Sequence, residues 1–233
     1  LRVLGDNTVG TAALSVASGF TNSGTIELTN SGGGSAASLT VSSGTLTNAP
    51  GGLINSLVST GGNRTLAAQL DNQGTLNVSQ GLTLARVSAV HSNSGLIDLT
   101  NANLTLTQSG TTPSFTNTGS VTLGANRVWT TTGGALDITA GTVSGLAGAQ
   151  LVVSGATLAF SPATLTVPLT LTTTTIVGGA VTIASGQTLT LLGGGLSDPV
   201  SVQSGGVLLI RGAAALSGAL TLPTGAMLRV LGD

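Results

Sequence analysis

Residues 20–28 read FTNSGTIEL: an apolar residue, then Asn22 and Gly24 two apart, then Ile26 and Leu28 in alternation. The pattern returns as LDNQGTLNV over residues 70–78, with Asn72 and Gly74, and as FTNTGSVTL over 115–123, with Asn117 and Gly119. Residues 90–99 read VHSNSGLIDL, one residue longer, with Asn93 and Gly95. A degenerate copy, LTNAPGGLIN, spans 46–55 and keeps Asn48. The five asparagines are spaced by 26, 24, 21 and 24 residues. A fixed period of this size marks a solenoid, in which each repeat buries its apolar face only against its neighbours.

The texture inside the repeat decides which solenoid. LTLT at 104–107, SLTVS at 38–42 and VTIAS at 181–185 alternate apolar with small polar residues, the period-two signal of a half-buried strand. Helix-period stripes are missing, and Gly, Thr, Ser and Asn crowd every window, which disfavours helix. The expectation is an all-β, parallel, right-handed β-helix with coils of about 20–26 residues and two or three strands per coil. Inward positions such as Ile26, Leu28, Leu76, Val78, Ile97 and Leu99 then form ladders of like residues. Residues 1–233 form one continuous segment. Residues 1–125 carry the Asn-x-Gly coils. Residues 126–233 are Thr- and Gly-rich coils without the asparagine, built on GATLAF, GQTLTL, GGVLLI and GAMLRVL from Gly155, Gly186, Gly205 and Gly225.

Asn22, Asn48, Asn72, Asn93 and Asn117, with Gly24, Gly74, Gly95 and Gly119, are read as structural corner positions. Asparagine tolerates the left-handed conformation and bonds its own backbone, and glycine supplies positive φ. Stacked asparagines also bond one another along an axis. A ligand-binding row of asparagines is the weaker alternative, because a corner explains both residue types at once.

The first six residues, LRVLGD from Leu1, recur as the last six from Leu228, a separation of 227 residues. This reads as a second, longer period, with Asp233 continuing into a further copy. The expected partners are therefore further copies of the same repeat, joined covalently or end to end.

Asn-x-Gly followed by alternating apolar residues, with SGTLT at 43–47 and SGATLAF at 154–160, resembles the β-strand repeats of very large bacterial surface proteins. These are the filamentous haemagglutinin-like exoproteins and the autotransporter passenger domains. The resemblance implies a right-handed β-helix, export to the cell surface, and roles in adhesion, stalks or fibres.

Composition narrows the chemistry. Only 6% of residues are charged, with six arginines, no lysine and a net charge of −1, so electrostatic capture of nucleic acid is not expected. With 40% hydrophobic residues and few charges the chain does not read as disordered. No run is long and apolar enough to span a membrane. Cysteine is absent, so disulfides and thiolate metal sites are excluded. Without lysine, Lys–Asn isopeptide cross-links are excluded within the segment as well.

No catalytic, cofactor or metal site is expected. His91 is the single histidine and reads as a surface residue in the corner before Asn93. The acids Asp6, Glu27, Asp71, Asp98, Asp137, Asp198 and Asp233 are scattered; Glu27 and Asp98 share an outward position several coils apart, too far for paired acid–base work. Trp129, Phe20 and Phe115 read first as core or cap residues, and secondarily as contacts between bundled fibres. Threonine reaches 38 residues, with Thr-x-Thr at 164–166, 170–172 and 188–190. A flat Thr array is also the feature of β-helical ice-binding proteins, but the spacing along the chain is irregular, and threonine suits any outward strand position. The leading functional expectation is thus an extracellular fibre, stalk or sheath segment, with an adhesin shaft or an ice-binding surface as alternatives.

Overall fold

A computed structural model describes residues 1–232; Asp233, the last acid and the last residue of the second LRVLGD, lies outside the described residues. Those residues form 29 strands and no helix. They wind into a parallel β-solenoid of about ten turns. At about 4.8 Å per coil this gives an axial length of roughly 48 Å.

Each coil places one strand on each of three faces. Leu104–Thr107 lies on face 1, Ser114–Asn117 on face 2 and Ser120–Leu123 on face 3, before Val128–Thr132 returns to face 1 one level on. Faces 1 and 2 form a 17-stranded sheet, made continuous where Ala37–Asn48 and Arg64–Asn72 run through both. Face 3 forms a seven-stranded sheet, extended by a separate three-stranded one. Every strand pairing is parallel, between residues of successive coils.

Alternation sends every second side chain inward. On face 3 the ladder runs Ile26, Ile54, Leu76, Ile97, Val121 and Val143, each at most 1% exposed. On face 1, Trp129 stacks between Leu104 and Leu151, and on face 2 Phe115 packs edge-on against Trp129, ring centroids 5.5 Å apart. Both rings are buried, so the fibre-contact role that the sequence left open to Trp129 and Phe115 is not available to them.

The Gly-led units do not share a corner. Gly186, Gly205 and Gly225 precede face 1 strands, while Gly155 precedes the face 2 strand Thr157–Phe160. The two LRVLGD copies also differ in place. Arg2–Gly5 pairs with Thr25–Asn30 on face 3, whereas Met227–Leu231 pairs with Val207–Arg211 on face 1. Their in–out parity is the same: Val3 sits over buried Leu28 and Val230 over buried Ile210. A tandem array of this period would thus advance the coils by one face per copy.

The corner between faces 2 and 3 explains the Asn-x-Gly glycines by a different route from the one expected. Gly24, Gly74, Gly95 and Gly119 have no positive φ, and neither do the corner asparagines. The constraint is close approach: a Cβ on Gly95 would lie 2.1 Å from the Gly74 carbonyl oxygen, and one on Gly119 would lie 2.2 Å from that of Gly95. At Gly24 a Cβ would meet nothing within 4 Å. Gly95→Ala should therefore destabilise the fold by about 1–3 kcal/mol or more, as expected when atoms are forced into a filled site. Gly24→Ala should stay within about 0.5 kcal/mol of the parent. Urea midpoints of the two variants test the contrast, and equal effects would remove the close-approach account.

Candidate functional site

The groups that carry chemistry lie apart. On face 3 the outward column runs Glu27, Asn55, Asn77, Asp98, so the two acids are three coils apart, roughly 14 Å at the strand spacing. On face 2, Asp71 and Asp137 are likewise three coils apart in the column Asp71, Ser92, Thr116, Asp137. Among the described residues no three of His, Cys, Asp and Glu gather as a metal site would require. Arg2 pairs with Glu27 at 2.5 Å, and that contact raises the arginine pKa from its ordinary value, at an exposed site where such pairs contribute little. The cavities beneath Phe160 hold about 10 and 20 Å³, room for no more than a water.

His91 is not a surface residue. It occupies the inward parity of Val90–Asn93, with 1% of its surface exposed. Its Nδ1 accepts the Leu70 backbone N–H at 3.1 Å, and its ring faces Phe115 with centroids 6.3 Å apart. Accepting at Nδ1 fixes the neutral tautomer with the proton on Nε2, which has no hydrogen-bond partner among the described residues. The sequence placed His91 in the corner; the strand in fact begins one residue earlier, and parity turns the ring inward. Burial, with a smaller push from the Arg86 charge, drives its pKa down from 6.5 to about 4.

Arg64 was not singled out from the sequence, although its parity in RTLAAQLDN already marked it as inward. It is fully buried and pairs in register with Ala37 and Leu82. Its guanidinium donates to the carbonyls of Ser35, Gly62 and Asn63 and to the Ser59 hydroxyl, and so holds the loop before its own strand. Burial lowers its pKa from the ordinary value, with no acid beside it. Gln108 plays a comparable part at the corner between faces 1 and 2, donating to the carbonyls of Gly133 and Ala135.

The five corner asparagines are brought into one line. Asn22 Nδ2 donates to Asn48 Oδ1 at 2.8 Å, Asn48 to Asn72 at 2.7 Å, Asn72 to Asn93 at 2.6 Å and Asn93 to Asn117 at 2.7 Å. Each Nδ2 also reaches two corner carbonyls, as Asn48 does with Gly52 and Thr75. The side chains are at most 8% exposed. Their amides are consumed by one another and by the backbone, which leaves no row of free groups for a ligand. The column ends at Gly141, where the next coil has no asparagine and a Cβ would lie 2.7 Å from Asn117 Nδ2.

No protein-family model and no curated protein matches the chain. Among solved structures it is similar to the crystal structure of the TibC-catalysed, hyper-glycosylated TibA55-350 fragment, at 16% identity over 98% of this chain and 95% of that one, with a TM-score of 0.32. Overlap of this extent leaves function to be argued from the chain's own residues.

Two outcomes follow from the buried polar groups. Asn72→Ala removes the short bond from Asn48 Nδ2, leaves the Asn93 oxygen without its donor and opens a gap in the column, and should destabilise the solenoid by about 3 kcal/mol. Asn22→Ala, at the end of the column, should lose only about 1 kcal/mol. Denaturant titration of both variants reads the difference, and equality would mean the column does not act cooperatively. His91 gives a pH signature. Above pH 6.5 it is neutral whether folded or unfolded, and it adds no pH dependence. Between 6.5 and about 4 the unfolded chain binds a proton that the folded chain refuses. Stability therefore falls as pH drops through that window, by about 3 kcal/mol in total, and levels below it. His91→Leu should abolish this component, seen as a wild-type-minus-variant difference in urea midpoints between pH 7 and pH 4.

Proposed function

We propose that this chain is a structural repeat segment of an extracellular bacterial fibre, stalk or sheath, a stiff rod that extends by stacking further copies of itself, with no catalytic role. The observation that carries this reading is the register between coils. Inward ladders, outward columns and the corner asparagines all repeat along one axis, so each coil is a template for the next. The scattered acids and the buried, neutral His91 supply no paired acid–base machinery.

Sedimentation velocity and negative-stain electron microscopy across a concentration series should show rods lengthening in steps of roughly 5 nm, one unit of ten stacked coils. Single rods at every concentration would overturn the stacking reading.

A further inference from the structure

The outward side of face 1 differs from the other two. Thr65, Thr83, Thr105 and Thr130 follow one another in register; Val152 interrupts once, and Thr170 and Thr190 resume the column. Two residues along each strand a second column contains Thr107, Thr132, Ser154 and Thr172 in successive coils. Along the chain these residues fall at uneven intervals, since the turns between faces differ in length. In space they form a lattice of about 4.8 Å between coils and roughly 6.6 Å between columns.

None of these hydroxyls makes a hydrogen bond within the described residues, and none of the side chains between Thr65 and Thr190 in the two columns is charged. The acids stand elsewhere: Glu27 and Asp98 on face 3, Asp71 and Asp137 on face 2. In these two columns face 1 is thus an uncharged grid of methyl and hydroxyl groups, with Ala67 and Ala85 standing where the second column begins and Gln150 at the edge.

Such a grid selects a partner that is itself periodic and uncharged. An ionic mineral would need carboxylates in the array. A crystalline sugar surface would need exposed aromatic platforms, and Trp129 and Phe115 are buried while Phe20 and Phe160 pair with inward neighbours. A second copy packed dry against the grid would strand the hydroxyls without partners. Ice meets each requirement: its oxygen lattice repeats on this length scale, every oxygen both donates and accepts, and its surface has room for the threonine methyls. We propose that face 1 between Thr65 and Thr190 is an ice-binding surface.

The test grows ice slowly from a dilute solution of the full chain and compares protein in the ice with protein in the remaining liquid. The wild type should be enriched in the ice and should slow its recrystallisation. Thr105→Lys combined with Thr130→Lys should be left in the liquid. Thr105→Val with Thr130→Val keeps the β-branch and the methyl, secures the fold, and should lose part of the enrichment. Asn77→Lys with Thr122→Lys, outward on face 3, should behave as the wild type. Exclusion of the wild type from ice, or unchanged enrichment of both face 1 variants, would overturn the proposal. So would loss of self-association in those variants with no change in ice partition, which would assign the face to a second copy. Rod elongation is read separately, in liquid solution.

Discussion

Strand pairing at about 4.8 Å between successive coils is the constraint on which the rest of this structure depends. It puts each residue directly over its counterpart, so an inward side chain sees mainly the same position one coil away. Hydrocarbon then meets hydrocarbon, as in the face 3 ladder from Ile26 to Val143. The same spacing sets what a corner tolerates. At Gly95 the carbonyl of Gly74 already occupies the place of a Cβ. Glycine is required there by the neighbouring coil, not by its own torsion angles.

The corner asparagines enter this interior because the stack satisfies them, whereas His91 Nε2, Trp129 Nε1 and Thr131 Oγ1 stay without a hydrogen bond among the described residues. An asparagine carries both a donor and an acceptor on one short side chain, so an in-register column can satisfy itself indefinitely along the axis. Arg64 and His91 cannot do this, because neither repeats in the next coil. Arg64 is accommodated by carbonyls of a loop bent toward it, and His91 by one backbone N–H and by giving up its charge. Column residues therefore strengthen the axis, while single insertions make a coil individual and sensitive to its conditions.

The sequence made the coil legible because Asn-x-Gly recurs at nearly constant intervals and Ile26–Leu28-type alternation marks strands. The count of three faces was less legible, since Ala37–Asn48 and Arg64–Asn72 read as single strands yet bend across two faces. Parity counted from a fixed corner would have placed His91 and Arg64 inside; counting from the wrong strand start hid His91. The role of the corner glycines was not legible at all, because a contact with a residue about 20 positions away leaves no local trace. The threonine grid was hidden for a related reason: columns are properties of register, and turns of unequal length scramble register when it is read along the chain.

Outward columns are free of the packing rule that fixes the core, so their order needs a separate cause. Strand propensity favours threonine equally on all three faces. On face 2 the outward column nevertheless runs Thr47, Asp71, Ser92, Thr116, Asp137, and on face 3 it runs Glu27, Asn55, Asn77, Asp98, Thr122. Both mix charge, amide and hydroxyl as a merely solvated surface would. Between Thr65 and Thr190 the two central columns of face 1 carry only Thr, Ser, Ala and Val, with the one amide, Gln150, at the start of its strand. Solubility does not require that uniformity, and a neutral face is the one most exposed to unwanted association. A requirement acting from outside the fold, on the surface as a lattice, accounts for a regularity that the interior does not impose.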